Sequence, residues 1–172
     1  MTQAKTSLPG LGHPITHVDV TFDGRYVVGT TDHFLVVVST MFRNKHGKIQ
    51  SGFHERMGTN IAAPRILRIK PQDLVKTGNA KLSGAKFQWR TSDQGHREAF
   101  ISASLGSATV LWDVEKLRKM QGSEAGQQAL LEYQLIVPPA QSKKVVETAF
   151  MHQDYNDNLV VATPGKVYSY HY

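Results

Sequence analysis

The feature that most restricts the fold is a run of three short apolar segments in the first quarter of the chain, separated by tight turns. In "THVDVTF" apolar residues alternate, which places Val18, Val20 and Phe22 on one face of a strand. Asp23-Gly24 is typical of a short hairpin, because glycine accepts a positive φ without steric cost. The segments "RYVVGTT" and "FLVVVST" follow, and the second is apolar on both faces, as in a strand buried between layers. The pattern predicts three antiparallel strands in succession.

The same rhythm continues along the chain. A polar, glycine-punctuated excursion (41–63), in which "KHGKI" can turn a hairpin, precedes a fourth strand at 65–70. Later strands are predicted, in chain order, at 85–91, 97–105, 107–114, 130–137, 145–151, 159–164 and 166–172. A short helix, "VEKLRKM", is predicted after Asp113, whose carboxylate would cap it.

These strands fall into two units of four and a third unit that has three. We therefore predict an all-β fold, a WD-repeat-like β-propeller with about three four-stranded antiparallel blades near 16–70, 85–137 and 145–172. A closed propeller needs roughly four to eight blades, so three blades are not expected to close a ring in the usual geometry.

Composition limits the functional classes. The 172 residues are 40% hydrophobic and include no cysteine, which excludes a disulfide scaffold, a thiolate metal site and a cysteine nucleophile. No signal peptide or membrane-length apolar run is recognisable, and a soluble cytoplasmic protein is expected. The motifs of nucleotide-binding loops, serine hydrolases and zinc proteases are missing from the sequence. We expect neither catalysis nor a cofactor.

A basic segment is the main candidate for binding chemistry. The net charge is +6, and cationic side chains concentrate in and just after the excursion: Arg43, Lys45, Lys48, Arg56, Arg65, Arg68 and Lys70. Such a cluster suits the phosphates of an anionic lipid, such as a phosphoinositide, or of RNA. The alternative, a solvated loop, is favoured about two to one because blocks of charge are usually solvated.

Two further groups are assigned structural roles. His17 and Asp19 share a strand face, and a hydrogen-bond network between strands is favoured over a metal site that would also use His13. Trp112 is expected to pack between blades and donate its indole N–H to a buried partner, with Asp113 capping the next helix. Trp89, in phase with Phe87, is expected in the core.

The chain resembles the C-terminal domain of the vacuolar import and degradation protein 27 family. The stretches that carry the resemblance are "QAKTSLPGLGHPITHVDVTFDGRYVVGTTDHFLVV", "GKIQSGFHERMGTNIAAPRILRI" and "LVVATPGKVYSY". The dipeptides Gly12-His13 and Trp112-Asp113 are also similar to those of WD repeats. The resemblance implies a WD-like propeller that closes a larger, mostly cytoplasmic protein linked to turnover of cytosolic enzymes by the vacuole. It also implies that residues 3–8 are the outer strand of a preceding blade, so that the chain is the C-terminal portion of a propeller with open edges at both ends. It supplies no catalytic residues.

Taken together, these patterns predict a non-catalytic protein-interaction scaffold, with an anion-binding module using 43–70 as the alternative. The expected contact surface is the excursion 41–64 with the turns at Asp32-His33 and Gly95-His96. Protein partners are expected, and open blade edges and faces favour self-association.

Overall fold

A computed structural model describes residues 12–92, 95–119, 132–138, 144–153 and 156–171. Its strands and helices are, in chain order, β1 (His17–Val20), β2 (Tyr26–Thr30), β3 (Phe34–Ser39), β4 (Met41–Arg43), β5 (Ile49–Ser51), β6 (Arg65–Arg68), α1 (Pro71–Lys76), β7 (Leu82–Ser92), β8 (Gly95–Leu105), β9 (Ala108–Asp113), α2 (Val114–Lys119), β10 (Gln134–Ile136), β11 (Glu147–Gln153), β12 (Asn156–Thr163) and β13 (Lys166–His171).

The strands form three main antiparallel sheets. The first sheet has the order β1-β2-β3-β6, the second β10-β9-β8-β7 and the third β11-β12-β13, while β4 and β5 pair as a separate hairpin. The predicted all-β fold is confirmed. The predicted outer strand at 3–8 lies outside the described residues, and the predicted blade limits stay a prediction.

Local chemistry sets the first two turns. Gly24 has φ of 66°, a conformation that costs glycine nothing, and the Asp23 carboxylate accepts hydrogen bonds from the Thr21 hydroxyl and the Arg25 amide. At the next turn the Thr31 hydroxyl accepts from the Phe34 amide and donates to the Phe34 carbonyl. These bonds occupy polar groups that the short strands leave unpaired, and they fix the register of β1, β2 and β3.

The predicted small hairpin within the excursion is confirmed. Strands β4 and β5 pair from Met41↔Ser51 to Arg43↔Ile49. The Asn44 side chain accepts from the amides of His46 and Lys48, and Gly47 takes a φ of 75°. An Asx-type turn therefore closes the hairpin.

The second sheet contains the longest hairpin. Its strands β7 and β8 shift register twice, between Ser83 and Lys86 and again between Gln88 and Trp89. Because a one-residue slip reverses the face to which side chains point, the alternation that groups Trp89 with Phe87 does not hold. Phe87 is buried whereas Trp89 is 44% exposed, so the prediction of a core Trp89 is wrong.

Helix α1 was not predicted from the sequence. It begins with Pro71, carries Asp73 in its first turn and ends at Lys76 with a basic residue in its last turn. Proline at the first helical position and this order of charges are the usual signals of a short helix. The sequence analysis predicts a strand at 65–70 and does not use the proline that follows it as the start of a helix.

Two apolar clusters join the three sheets. The larger lies between the first and second sheets and includes Val28, Leu35 and Leu67 on one side and Ile101 and Trp112 on the other. The smaller joins Leu111 of the second sheet to Val145, Leu159 and Val161 at the third. Strand β3 is buried along almost its whole length, as its doubly apolar sequence predicts. The sheets therefore stack face to face in chain order.

Candidate interaction surface

Four of the predicted anion-binding side chains lie in the excursion. The Arg43 guanidinium donates to the Gly47 carbonyl within the β4–β5 hairpin at 3.1 Å. Lys45 and Lys48 are exposed in the same hairpin, and Arg56 is exposed beyond it.

The basic residues of β6 and its continuation point to different neighbours. Arg65 donates to the Leu117 carbonyl of α2, on the side of the second sheet. The Arg68 guanidinium lies 6.0 Å from the Phe34 ring centre, and the Lys70 ammonium lies 5.8 Å from that of Tyr133. Three of the seven predicted anion-binding residues thus serve packing between elements. The anion-binding patch of all seven residues stays a prediction.

An apolar hollow lies beside the hairpin. It has a volume of about 150 Å³ and its wall residues are Val27, Val38, Ser39, Thr40, Gly52, Phe53 and Met57. Met57 is buried against Gly52, where a Cβ would approach its sulfur to 2.8 Å, while Phe53 remains 55% exposed at the rim. The glycine lets the methionine close one end of the hollow, and the other end opens to solvent. Apolar hollows with an aromatic rim are typical of peptide and protein contact sites.

Strand β1 adds a second exposed apolar area. Val18 and Val20 alternate along β1 and are both exposed, and Phe22, beyond the end of β1, is 86% exposed. The Phe22 ring meets the exposed Trp89 ring edge-on, with 5.7 Å between ring centres. Their exposure was not foreseen, because alternation indicates which residues share a face but not what covers it.

The polar face of β1 lies against the second sheet. The Asp19 carboxylate accepts the Phe87 amide N–H at 2.8 Å. Close by, the buried Glu98 carboxylate accepts the Phe22 amide N–H at 2.7 Å. Burial raises the pKa of Glu98, as do the charges of Asp23 and Asp19, against the lowering effect of the Phe22 bond. Two carboxylates thus tie β1 and its turn to β7 and β8.

His17 takes no part in this network. Among the described residues its side chain has no hydrogen bond. Of the two residues predicted to link strands by hydrogen bonds, Asp19 makes such a bond, to β7. His13 packs edge-on against the rings of His33 and Phe34 at 5.3 and 5.2 Å. In the described ranges no group of three or more histidines and carboxylates could hold a metal ion.

Trp112 and Asp113 end β9. Trp112 is 1% exposed within the larger cluster, but its indole N–H has no partner among the described residues, so the predicted hydrogen bond is a wrong prediction. Asp113 accepts the amides of Glu115 and Lys116 at 2.8 and 3.1 Å, the geometry of a helix cap.

A tyrosine joins α1 to the second sheet. The Tyr133 hydroxyl donates to the Asp73 carboxylate at 2.6 Å and accepts the Lys70 amide N–H at 2.9 Å. Burial and the bond to Asp73 raise the pKa of Tyr133 to about 12. The hydrogen bond from Tyr133, and to a smaller extent the one from Lys76, keep the pKa of Asp73 below its usual value. Sequence reasoning missed this contact, since neither residue belongs to a recognisable motif.

The two turns predicted as contact surfaces, at Asp32-His33 and Gly95-His96, have different surroundings. At Asp32-His33 the Asp32 carboxylate pairs with Lys81 at 2.5 Å, and its carbonyl accepts the Leu82 amide, so this turn holds the connection into the second sheet. Gly95 and His96 belong to strand β8, paired with Ser92 and Thr91, and the turn before them lies outside the described residues. Neither of the two described helices is long and apolar enough to cross a membrane.

Comparison with known proteins gives two findings. A family model described as the VID27 C-terminal WD40-like domain matches residues 1–171. The chain is also similar to vacuolar import and degradation protein 27 of Schizosaccharomyces pombe, at 26% identity over 119 residues, which is 67% of this chain. The match spans 15% of the length of that relative.

Proposed function

The chain belongs to the VID27 C-terminal WD40-like domain family, and from this membership we propose that it is a non-catalytic protein-interaction scaffold. By its likeness to vacuolar import and degradation protein 27, we assign it to that process and to the cytoplasm. In its described strands many side chains pack between neighbouring sheets, so loops and uncovered faces remain to contact partners.

The observation that carries the proposal is the apolar hollow beside the β4–β5 hairpin. It combines an exposed aromatic rim at Phe53 with a preformed floor at Val27, Val38 and Met57. Binding energy in protein interfaces concentrates where an apolar anchor fills such a hollow and excludes water. The occupant we propose is an apolar side chain of a partner protein.

The anion-binding alternative receives no support from the geometry. Arg43 and Arg65 each donate to a carbonyl group, and Arg68 lies over the Phe34 ring. A phosphate needs several donors that converge on one point. We therefore put forward the scaffold alone.

The test compares three forms of the chain as bait in extracts of the source cells. These are the unchanged chain, Phe53→Ser at the hollow, and Val75→Ser on α1 as a matched control, because Val75 is an exposed apolar residue away from the hollow. The proteins retained are identified, and each affinity is then measured with the purified partner at low and high salt.

The proposal expects Phe53→Ser to weaken one partner by at least about tenfold, since a lost apolar anchor costs about 1–3 kcal/mol. Val75→Ser should bind that partner as well as the unchanged chain does, and salt should have little effect. Equal binding by both variants, or retention that disappears at high salt, would contradict the scaffold as described.

A further inference from the structure

Two exposed aromatic rings form a corner where the loop after β1 meets strand β7. The Phe22 ring packs edge-on against the Trp89 ring, with 5.7 Å between ring centres and 70° between ring planes. Most of Phe22 and almost half of Trp89 are exposed, so part of each ring face remains open to solvent. Aromatic faces carry partial negative charge, and they attract cations as well as apolar groups.

A carboxylate lies beside this corner. Glu98 is the direct cross-strand partner of Trp89 in the β7–β8 hairpin, so the two side chains project from the same face of the sheet. The Oε1 atom of Glu98 accepts the Phe22 amide N–H at 2.7 Å, which holds the carboxylate at the residue that carries the other ring. Two aromatic rings and one carboxylate are therefore brought together at one place in the fold.

The second oxygen of Glu98, Oε2, remains available. The bond from Phe22 is the one hydrogen bond that Glu98 makes in the described part of the chain, and no described cation forms an ion pair with it. Oε2 does not belong to the fully enclosed polar atoms that have no partner, so a donor from outside can approach it. A carboxylate that is about nine-tenths buried and keeps one free acceptor atom favours a donor with a positive charge.

The charges around Glu98 do not supply that donor. Burial raises the pKa of Glu98, the charges of Asp23 and Asp19 raise it further, and the charge of Arg118 acts against them. Arg25 pairs with Asp23 at 3.6 Å, and Arg118 lies over a tyrosine ring, 5.6 Å from its centre. Neither arginine forms an ion pair with Glu98, whose charge is left without a direct counterion among the described residues.

We propose that the corner between Phe22, Trp89 and Glu98 binds an arginine side chain of a partner protein. A guanidinium group is planar and weakly hydrated, so it stacks on an aromatic face while its N–H groups donate within its own plane. Stacked in the corner, it directs these donors to the Glu98 carboxylate. A lysine ammonium is strongly hydrated and has no flat face, so it fits the corner less well.

This inference goes beyond the proposed function and rests on it only in that a partner protein supplies the arginine. The corner and the apolar hollow share no residue, but both border the Asp23-Gly24 turn. The Phe53 ring at the rim of the hollow lies 3.8 Å from the position that a Cβ on Gly24 would take. One partner can therefore fill both sites, with an apolar side chain in the hollow and an arginine in the corner.

The test uses the full 172-residue chain and blocked tripeptides that have glycine on each side of one variable residue. The variable residue is arginine, its neutral isostere citrulline, or leucine. The chain has two tryptophans, and Trp112 is almost fully buried, so the two indole N–H signals in a proton–nitrogen correlation spectrum separate the corner from the core. Trp112→Phe identifies which signal belongs to Trp89.

The arginine peptide should shift the Trp89 indole signal in a saturable way at millimolar concentration and leave the Trp112 signal in place. The citrulline peptide should bind at least about tenfold more weakly, because it lacks the charge that the carboxylate and the rings attract. No saturable shift with the arginine peptide would overturn the proposal. Equal binding of the leucine peptide would overturn it in favour of an apolar occupant, such as a further segment of a longer chain.

Variants of the chain test each part of the corner. Glu98→Gln keeps an oxygen for the Phe22 amide but removes the charge, and it should raise the dissociation constant of the arginine peptide at least about tenfold. Phe22→Leu removes one ring and should raise it at least about threefold. Glu55→Gln in the excursion is the charge-matched control, and Phe53→Ser alters the hollow alone. Both controls should bind the arginine peptide as the unchanged chain does.

The two proposals fail separately. Equal affinity of Glu98→Gln and Glu55→Gln for the arginine peptide, with circular dichroism showing both variants folded, would overturn the role of the carboxylate. Equal affinity of Phe22→Leu and the unchanged chain would overturn the role of the rings. The tripeptide reports on the corner alone, whereas partner binding by Phe53→Ser reports on the hollow, so neither result decides the other.

Discussion

Replacing Tyr133 with Phe removes the hydroxyl that joins helix α1 to the second sheet. The hydroxyl makes two bonds, one to the Asp73 carboxylate at 2.6 Å and one from the Lys70 amide at 2.9 Å. A bond to a charged group contributes about 1.5–3 kcal/mol and a neutral one about 0.5–1.5 kcal/mol. Water can reach part of the site, so we expect Tyr133→Phe to lower the free energy of unfolding by about 2–3 kcal/mol.

Urea unfolding at pH 7, followed by circular dichroism, measures this loss. Tyr26→Phe is the matched control, because the Tyr26 ring also packs on the larger cluster and its hydroxyl has no hydrogen bond among the described residues. The control should change the free energy of unfolding by less than about 0.5 kcal/mol. The slope of the unfolding free energy against urea should be the same in all three proteins, since the surface exposed on unfolding is unchanged.

The pH dependence gives an independent check. The pKa of Asp73 is lowered in the folded protein, so its contribution is present above the ordinary value of 3.8 and is lost as pH falls through the lowered pKa. The pKa of Tyr133 is raised to about 12, so its contribution is present below the ordinary value of 10.0 and is lost as pH rises toward 12. Tyr133→Phe should therefore differ most from the unchanged protein between these limits. A loss no larger than that of Tyr26→Phe, or one that does not vary with pH, would refute the reasoning.

Three further predictions concern the core and its borders. The indole N–H of Trp112 has no partner among the described residues. Trp112→Phe should therefore lower the free energy of unfolding, measured in urea, by only about 1–2 kcal/mol, and Trp112→Ala by about 3–5 kcal/mol. A Phe variant as unstable as the Ala variant would indicate that the indole N–H does have a partner. Glu98→Gln keeps an oxygen for the Phe22 amide and removes a charge that burial disfavours. It should be at least as stable as the unchanged chain at pH 7, with the difference falling as pH drops through the raised pKa of Glu98; lower stability at pH 7 would count against a disfavoured charge. Asp113→Ala should lower stability by about 1 kcal/mol and Asp113→Asn by less, measured by thermal unfolding; equal losses would argue against capping.

Strand positions could be read from the sequence because each strand is short, apolar and bounded by turn residues. The doubly apolar β3 was predicted as a strand between layers and is buried on both faces. The Asp23-Gly24 turn and the hairpin around Gly47 follow from positive φ values that glycine adopts freely. Local signals sufficed for these elements because the deciding interactions lie within a few residues.

Contacts between sheets could not be read in the same way. Alternation grouped Val18 with Val20 correctly, but only the position of the neighbouring sheet decides that Asp19 faces it instead. A register shift changed the face to which Trp89 points relative to Phe87, and no pattern in the sequence indicated the shift. The basic residues near the excursion form a dense set in sequence, yet β6 sends Arg65 and Arg68 toward different neighbours. These outcomes depend on residues far apart in the chain.

Three of the hydrogen bonds between the first two sheets and their flanking segments share one property. Asp19, Glu98 and Tyr133 each receive a main-chain N–H, from Phe87, Phe22 and Lys70 respectively. Each joint therefore depends on the identity of one side chain only, because every non-proline residue offers the same amide at the donor position. The donor positions can accumulate substitutions over evolution while these three bonds persist, whereas an acceptor position tolerates only a side chain that keeps an oxygen for the amide.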